Sequence, residues 1–101
     1  MLQIPIRAVP NQLLSVAVGG QNCQLKLAQK ESGLFCSVYV DNILLIGGVV
    51  CQNKNRILRD AYFQFVGDLA FYDLQGESDP DYLRLGTRFL LLYLEASDIK
   101  G

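Results

Sequence analysis

The chain has no histidine, no tryptophan, one methionine and three prolines in 101 residues. Without histidine there is no imidazole to serve as general base near neutral pH, to activate a serine or cysteine, or to ligate a metal. Most hydrolase and metalloenzyme schemes are excluded with it. Cysteine is scarce as well. Cys23, Cys36 and Cys51 are too few and too scattered for a disulfide framework or a four-thiolate zinc site, and an odd count leaves one thiol unpaired in any oxidised form. Buried, reduced thiols are the expectation. Long apolar runs are also missing. The longest without glycine, residues 89–94, falls far short of the about 20 residues that span a bilayer as a helix. The opening MLQIPIRAVPNQ has no basic stretch followed by an apolar one, so no secretory leader and no membrane partner are expected.

What is present is a hydrophobic chain of one-domain size, 50% apolar and 19% charged, which excludes intrinsic disorder and predicts a single domain over 1–101. The formal net charge is −1, so the basic excess that accompanies phosphate recognition is absent and nucleic acid is not the expected partner. The charges are nonetheless polarised. Residues 1–59 carry six basic and two acidic groups, and residues 60–101 carry three basic and eight acidic. Such a split bears on the steering of partners rather than on the fold, although Asp-rich stretches also belong in solvated turns.

Apolar residues recur with a period close to two along most of the chain. Segments 12–18 (QLLSVAV) and 21–28 (QNCQLKLA) alternate around Gly19-Gly20, a pair suited to the positive φ values of a primed hairpin turn. Segment 34–40 (LFCSVYV) alternates again and is followed by Asp41-Asn42, a second turn pair. Segment 43–50 (ILLIGGVV) reads as a strand with a bulge at Gly47-Gly48. Residues 51–60 are polar and basic, an exposed loop or a short edge strand. Segments 62–66 and 69–74 read as a hairpin across Gly67-Asp68. Residues 75–81 (QGESDPD) form an acidic loop, from which 82–86 leads into a buried strand over 88–95 (RFLLLYLE). Seven to nine short strands at hairpin spacing, with no major helix, predict an all-β fold, a small antiparallel barrel or sandwich.

Chemistry is thin. Glu77, Asp79 and Asp81 are the obvious carboxylate group, but the calcium-loop pattern is missing and a glycosidase needs a larger cleft. The cysteines have no histidine to act as base, and neither glycine pair opens a helix as a phosphate loop would. Neither a cofactor nor a metal is expected. Tyr62, Phe63, Phe65, Phe71 and Tyr72 offer a stacking face for single-stranded nucleic acid or a small ligand, the alternative reading, though the acidic loop beside them would repel phosphate. More telling is hydrophobicity on both faces of 43–50, 62–74 and 88–94. One layer hides one face of a strand, so the other asks for a second sheet or another chain. Candidate partner-binding residues are therefore Phe89, Leu91 and Tyr93 on the last strand, with Lys54, Arg56 and Arg59 in the basic segment and Glu77, Asp79 and Asp81 in the acidic loop.

Two blocks carry a family resemblance. The opening Gln3-Ile-Pro-Ile-x4-Asn11-Gln12-x-Leu-Ser-Val-x-Val-Gly-Gly-Gln21 resembles the start of small baseplate plug proteins of contractile-tailed phages. The closing block, an acidic loop at 76–81 followed by Tyr82-Leu-Arg-Leu-Gly-Thr87 and the strand with Tyr93, is similar to theirs as well. The three cysteines and the basic segment 54–59 depart from the pattern. The resemblance implies a non-enzymatic virion component, made in the host cytoplasm and placed in the tail baseplate, that closes or adapts the hub lumen. Its implied partners are hub, spike or tube proteins of the same virion, with a homo-oligomer also open.

Overall fold

The computed structural model describes residues 2–58 and 67–95. Its strands are β1 (Leu2–Ile4), β2 (Asn11–Val18), β3 (Gln21–Lys30), β4 (Gly33–Val40), β5 (Ile43–Val50), β6 (Asp68–Asp73) and β7 (Phe89–Leu94). They form two antiparallel sheets, a four-stranded meander β2-β3-β4-β5 and a three-stranded sheet β1-β7-β6. The fold is all-β, in its sandwich form.

The meander follows from local chemistry. Gly19 and Gly20 take φ values of 58° and 71°, and Asp41 and Asn42 take 52° and 67°. Both pairs thus have two consecutive positive φ angles, the primed geometry that matches strand twist. Val18 then faces Gln21, and Val40 faces Ile43, across two-residue loops. The pairing of β4 with β5 slips twice, between Cys36 and Val38 and between Val38 and Tyr39. Opposite Ser37 the ladder is broken, and the Gly48 N–H donates instead to Ser37 Oγ at 3.0 Å. Gly47-Gly48 is therefore a bulge, with a hydroxyl standing in for the missing carbonyl.

The inner faces share one core. Cys23, Leu25, Leu27, Leu34, Cys36 and Val38 from the meander meet Ile4, Leu69, Phe71, Phe89, Leu91 and Tyr93 from the other sheet. Strand β7 is the middle strand of its sheet, flanked by β1 at Leu2↔Tyr93 and by β6 at Leu69↔Tyr93. This position explains its apolar composition. Three further points differ from the sequence reading. Residues 2–4 form a strand, because β7 offers them an edge that no local pattern announces. Asp68 lies in β6 rather than in a turn, buried, its Oδ1 accepting from Leu58 N at 2.8 Å and Leu69 N at 2.7 Å. The start of the strand-like 82–86 is a 3-10 turn, Tyr82–Arg84, capped by Asp81 through Leu83 N at 3.0 Å. The hairpin partner 62–66 lies outside the described residues.

Candidate interaction surface

The acidic loop is built around one ion pair. Asp73 ends β6 and faces Phe89, so Arg88, one residue earlier, reaches it directly. Arg88 Nε donates to Asp73 Oδ1 at 2.8 Å and Nη2 to Oδ2 at 2.9 Å, a fork-to-carboxylate pair. The same carboxylate accepts from Gln75 N at 2.9 Å and Ser78 N at 2.8 Å, which ties down the loop as it leaves the strand. Its side chain is fully covered, and that of Arg88 retains 21% exposure. The Arg88 guanidinium, helped by the two amides and opposed by burial, holds the Asp73 carboxyl well below the usual carboxylate range. A buried carboxylate is tolerated here because it is fully hydrogen-bonded.

Asn53 joins this loop to the segment after β5. Its N–H donates to Asp79 Oδ1 at 3.0 Å, and its Oδ1 accepts from Asp73 N at 2.9 Å. Lys54 N donates to Phe71 O at 2.8 Å, and Lys54 Nζ lies 3.8 Å from Glu77 Oε1. Both side chains of that last pair are exposed, so it is worth at most about 1 kcal/mol. The start of the basic segment and the acidic loop are therefore neighbours, so the charge split along the sequence does not separate them in space. Asp79 and Asp81 are engaged in holding backbone. Arg56 is half-buried and bridges to Ala70, and Arg59 lies outside the described residues.

The strand residues proposed from the sequence are corrected by the packing. Phe89, Leu91 and Tyr93 are 1%, 0% and 1% exposed, because their face of β7 points into the sandwich. No partner reaches them in the folded chain. What remains on the outer face is Leu90 and Leu92, both half-buried. Phe71 is also core and Tyr72 half-buried, so the stacking face loses its described members, while Tyr62, Phe63 and Phe65 lie outside the described residues.

The three thiols are all buried and free. Burial and then the neighbouring Cys36 push the Cys23 thiol up to about 11. The hydrogen bond to Cys51 and burial raise that of Cys36 too. Neither group is an activated nucleophile, which would need a depressed pKa. Among the described residues, no three His, Cys, Asp or Glu side chains are placed to hold a metal, and no helix is long and apolar enough to cross a membrane.

The exposed apolar residues are where the sequence reading missed most. Leu13 is 69% exposed on the outer face of the meander. Three surface hollows of about 370, 470 and 270 Å³ all have Leu13 in their walls. Ile43 and Leu44 stand at the opposite edge, and Leu74 and Leu83 on the loops around the ion pair. The strict alternation of β2 contained this signal, since a leucine on the polar phase of a half-buried strand has no core to enter.

A sandwich with seven strands among the described residues, whose acidic loop is tied to its own backbone and to Arg88, and whose exposed apolar side chains stand at sheet edges and loop tips, is a structural, packing type of protein. Comparison at the level of families agrees. The chain belongs to the family described as the cyanophage baseplate Pam3 plug gp18, whose model matches residues 1–96. That membership places it in the tail baseplate of a phage virion, with a structural role among other baseplate proteins. Comparison with curated proteins finds no match.

Proposed function

We propose that the chain works as a single all-β unit that plugs or adapts the central hub and tube lumen of a contractile-tail baseplate, by protein–protein contacts alone. One observation carries this reading. The family match over residues 1–96 takes in every strand of both sheets, so the resemblance extends over the whole sandwich rather than one hairpin. The surface supports it. Lys54, Glu77, Asp79 and Asp81 form one patch beside the loop clamped by Asp73 and Arg88, and Leu74 and Leu83 add exposed apolar side chains next to it. A polar rim around apolar anchors is the usual make-up of a protein interface. Hub, spike or tube proteins of the same virion are the partners that fit.

The test is reconstitution. Purified chain mixed with each of the hub, spike and tube proteins of its virion should co-elute with at least one. Leu83→Asp, on an exposed side chain, should weaken that complex without lowering the melting temperature. Failure to bind any of the three, together with a salt-dependent gel shift of single-stranded DNA, would overturn the plug reading in favour of a nucleic-acid-binding module.

A further inference from the structure

Strand β2 is an edge, and its free side is unusually well kept. Pro10 O accepts from Gln29 N at 2.8 Å, and the register with β3 continues unbroken from Asn11↔Ala28 to Val18↔Gln21. Hydrogen-bonded pairs alternate in an antiparallel ladder, so Gln12, Leu14, Val16 and Val18 turn their N–H and C=O groups toward β3. Asn11, Leu13, Ser15 and Ala17 turn theirs outward, and all four residues are exposed. Among the described residues nothing pairs with that side. Natural edges are blunted by bulges, charges or proline. Segment 11–18 has none of these: no charged residue, no proline and no register slip. The opposite edge, β5, is blunted by the Gly47-Gly48 bulge, where the Gly48 N–H is turned back onto Ser37.

We propose that the β2 edge is a self-association site, where a second copy of this chain adds its own β2 antiparallel and joins two four-stranded sheets into one of eight. This inference rests on the edge geometry and stands apart from the plug reading.

An antiparallel edge is its own complement. Under a two-fold axis through Leu14, Leu13 faces the second copy's Ser15 and Asn11 its Ala17, so every outward donor meets an outward acceptor, about eight bonds in all. The same register sets the two Leu13 side chains diagonally across the axis, about 7–8 Å apart. There they cover each other's 69% exposure and fill the hollows they border. Two cations flank this edge. Exposed Arg7, its backbone held by the Gln12 side chain, borders one of the Leu13 hollows, and across the ladder stands Lys26, opposite Leu13 on β3. Its counterpart in the second copy is three strand spacings away, about 14 Å. That exceeds the screening length of about 8 Å at physiological salt. A bulged β5 cannot offer the same regular row of groups, which is why the occupant is a second β2. An edge of eight residues is small beside the roughly 20–30 per side of a stable complex, so the dimer is concentration-dependent rather than obligate.

Sedimentation of the full chain over a concentration series should show a monomer–dimer equilibrium. Amide exchange should show Leu13, Ser15 and Ala17 gaining protection as the dimer forms, while Leu14 and Val16 stay protected throughout. Leu13→Lys, on a surface side chain, and Ser15→Pro, which removes only an outward N–H, should each weaken the dimer at least about tenfold while the melting temperature of the monomer holds. A chain that stays monomeric at millimolar concentration overturns the proposal. So does a dimer that survives both substitutions, or one that leaves the amides of 13, 15 and 17 exchanging freely. Loss of the dimer with binding to hub, spike or tube protein intact separates this inference from the plug reading.

Discussion

Asp73 at the end of β6 and Arg88 in the turn just before β7 clasp each other, carboxylate to guanidinium, at 2.8 and 2.9 Å, and the loop between them closes on the same carboxylate. The pair fixes the sign of the acid response. The Asp73 pKa is lower folded than unfolded, so its contribution is present above the ordinary carboxylate value of about 4 and drains away as pH falls below it. Asp73→Asn should therefore be less stable than the parent at pH 7, with the gap narrowing as pH falls below 4. Urea midpoints at pH 7, 4 and 2.5 check this. A gap that stays constant across the series would assign the loss to packing rather than to the charge.

The alkaline side runs the other way. Cys23 rises to about 11 from an ordinary 9.0, chiefly through burial, and burial raises Tyr93 as well. Groups that hold their protons more tightly when folded contribute stability below the unfolded pKa and lose it as pH climbs through the folded one. Stability should therefore fall from about pH 9 upward. At pH 8, thiol reagents should label the native chain slowly at all three cysteines and rapidly once denaturant is added. Immediate labelling of two thiols in native buffer would contradict the burial.

Two glycines have positive φ for different reasons. Gly20, at +71°, has no atom within 4 Å of where a Cβ would stand, so substitution there strains only the backbone. Gly20→Val should cost about 1–3 kcal/mol, and Gly20→Asn well under 1. At Gly67, φ is +94°, and a Cβ would run into Leu94 O and, at 2.7 Å, Tyr93 Oη. Gly67→Ala should cost more than Gly20→Val despite the smaller side chain. Denaturant melts of the variants rank them, and the reverse order would mean that backbone strain outweighs the clash.

The hairpins were legible because their causes are local. Gly19-Gly20, Asp41-Asn42 and the Gly47-Gly48 bulge each follow from what one or two residues permit in the backbone. The features that escaped depend on residues far apart in sequence. Leu2–Ile4 is a strand only because β7 lies beside it. Asp68 reads as a turn residue until the Leu58 amide arrives to share its carboxylate with that of Leu69. The segment after β5 and the acidic loop lie far apart in the sequence and meet only where Asn53 hydrogen-bonds to both Asp73 and Asp79. The two-sided composition of β7 announced cover on both faces, but not which face belonged to the chain itself.

That last ambiguity gives the sharpest contrast. Leu91 sits at 0% exposure between Ile4 on β1 and Phe71 on β6, within the core shared by both sheets. Truncation there leaves a cavity that the two flanking strands, held by their ladders, cannot close. Leu91→Ala should cost about 2–5 kcal/mol, a large share of the roughly 5–15 kcal/mol that holds a domain of ordinary stability together. Leu90 is one residue away on the half-buried outer face, opposite Tyr72. There water and side-chain motion refill the space, and Leu90→Ala should cost about 1 kcal/mol or less. The two variants delete the same atoms from adjacent positions of one strand, so the difference in their urea midpoints reads the facing of β7 directly. Equal losses would mean that the outer face is covered as tightly as the inner one.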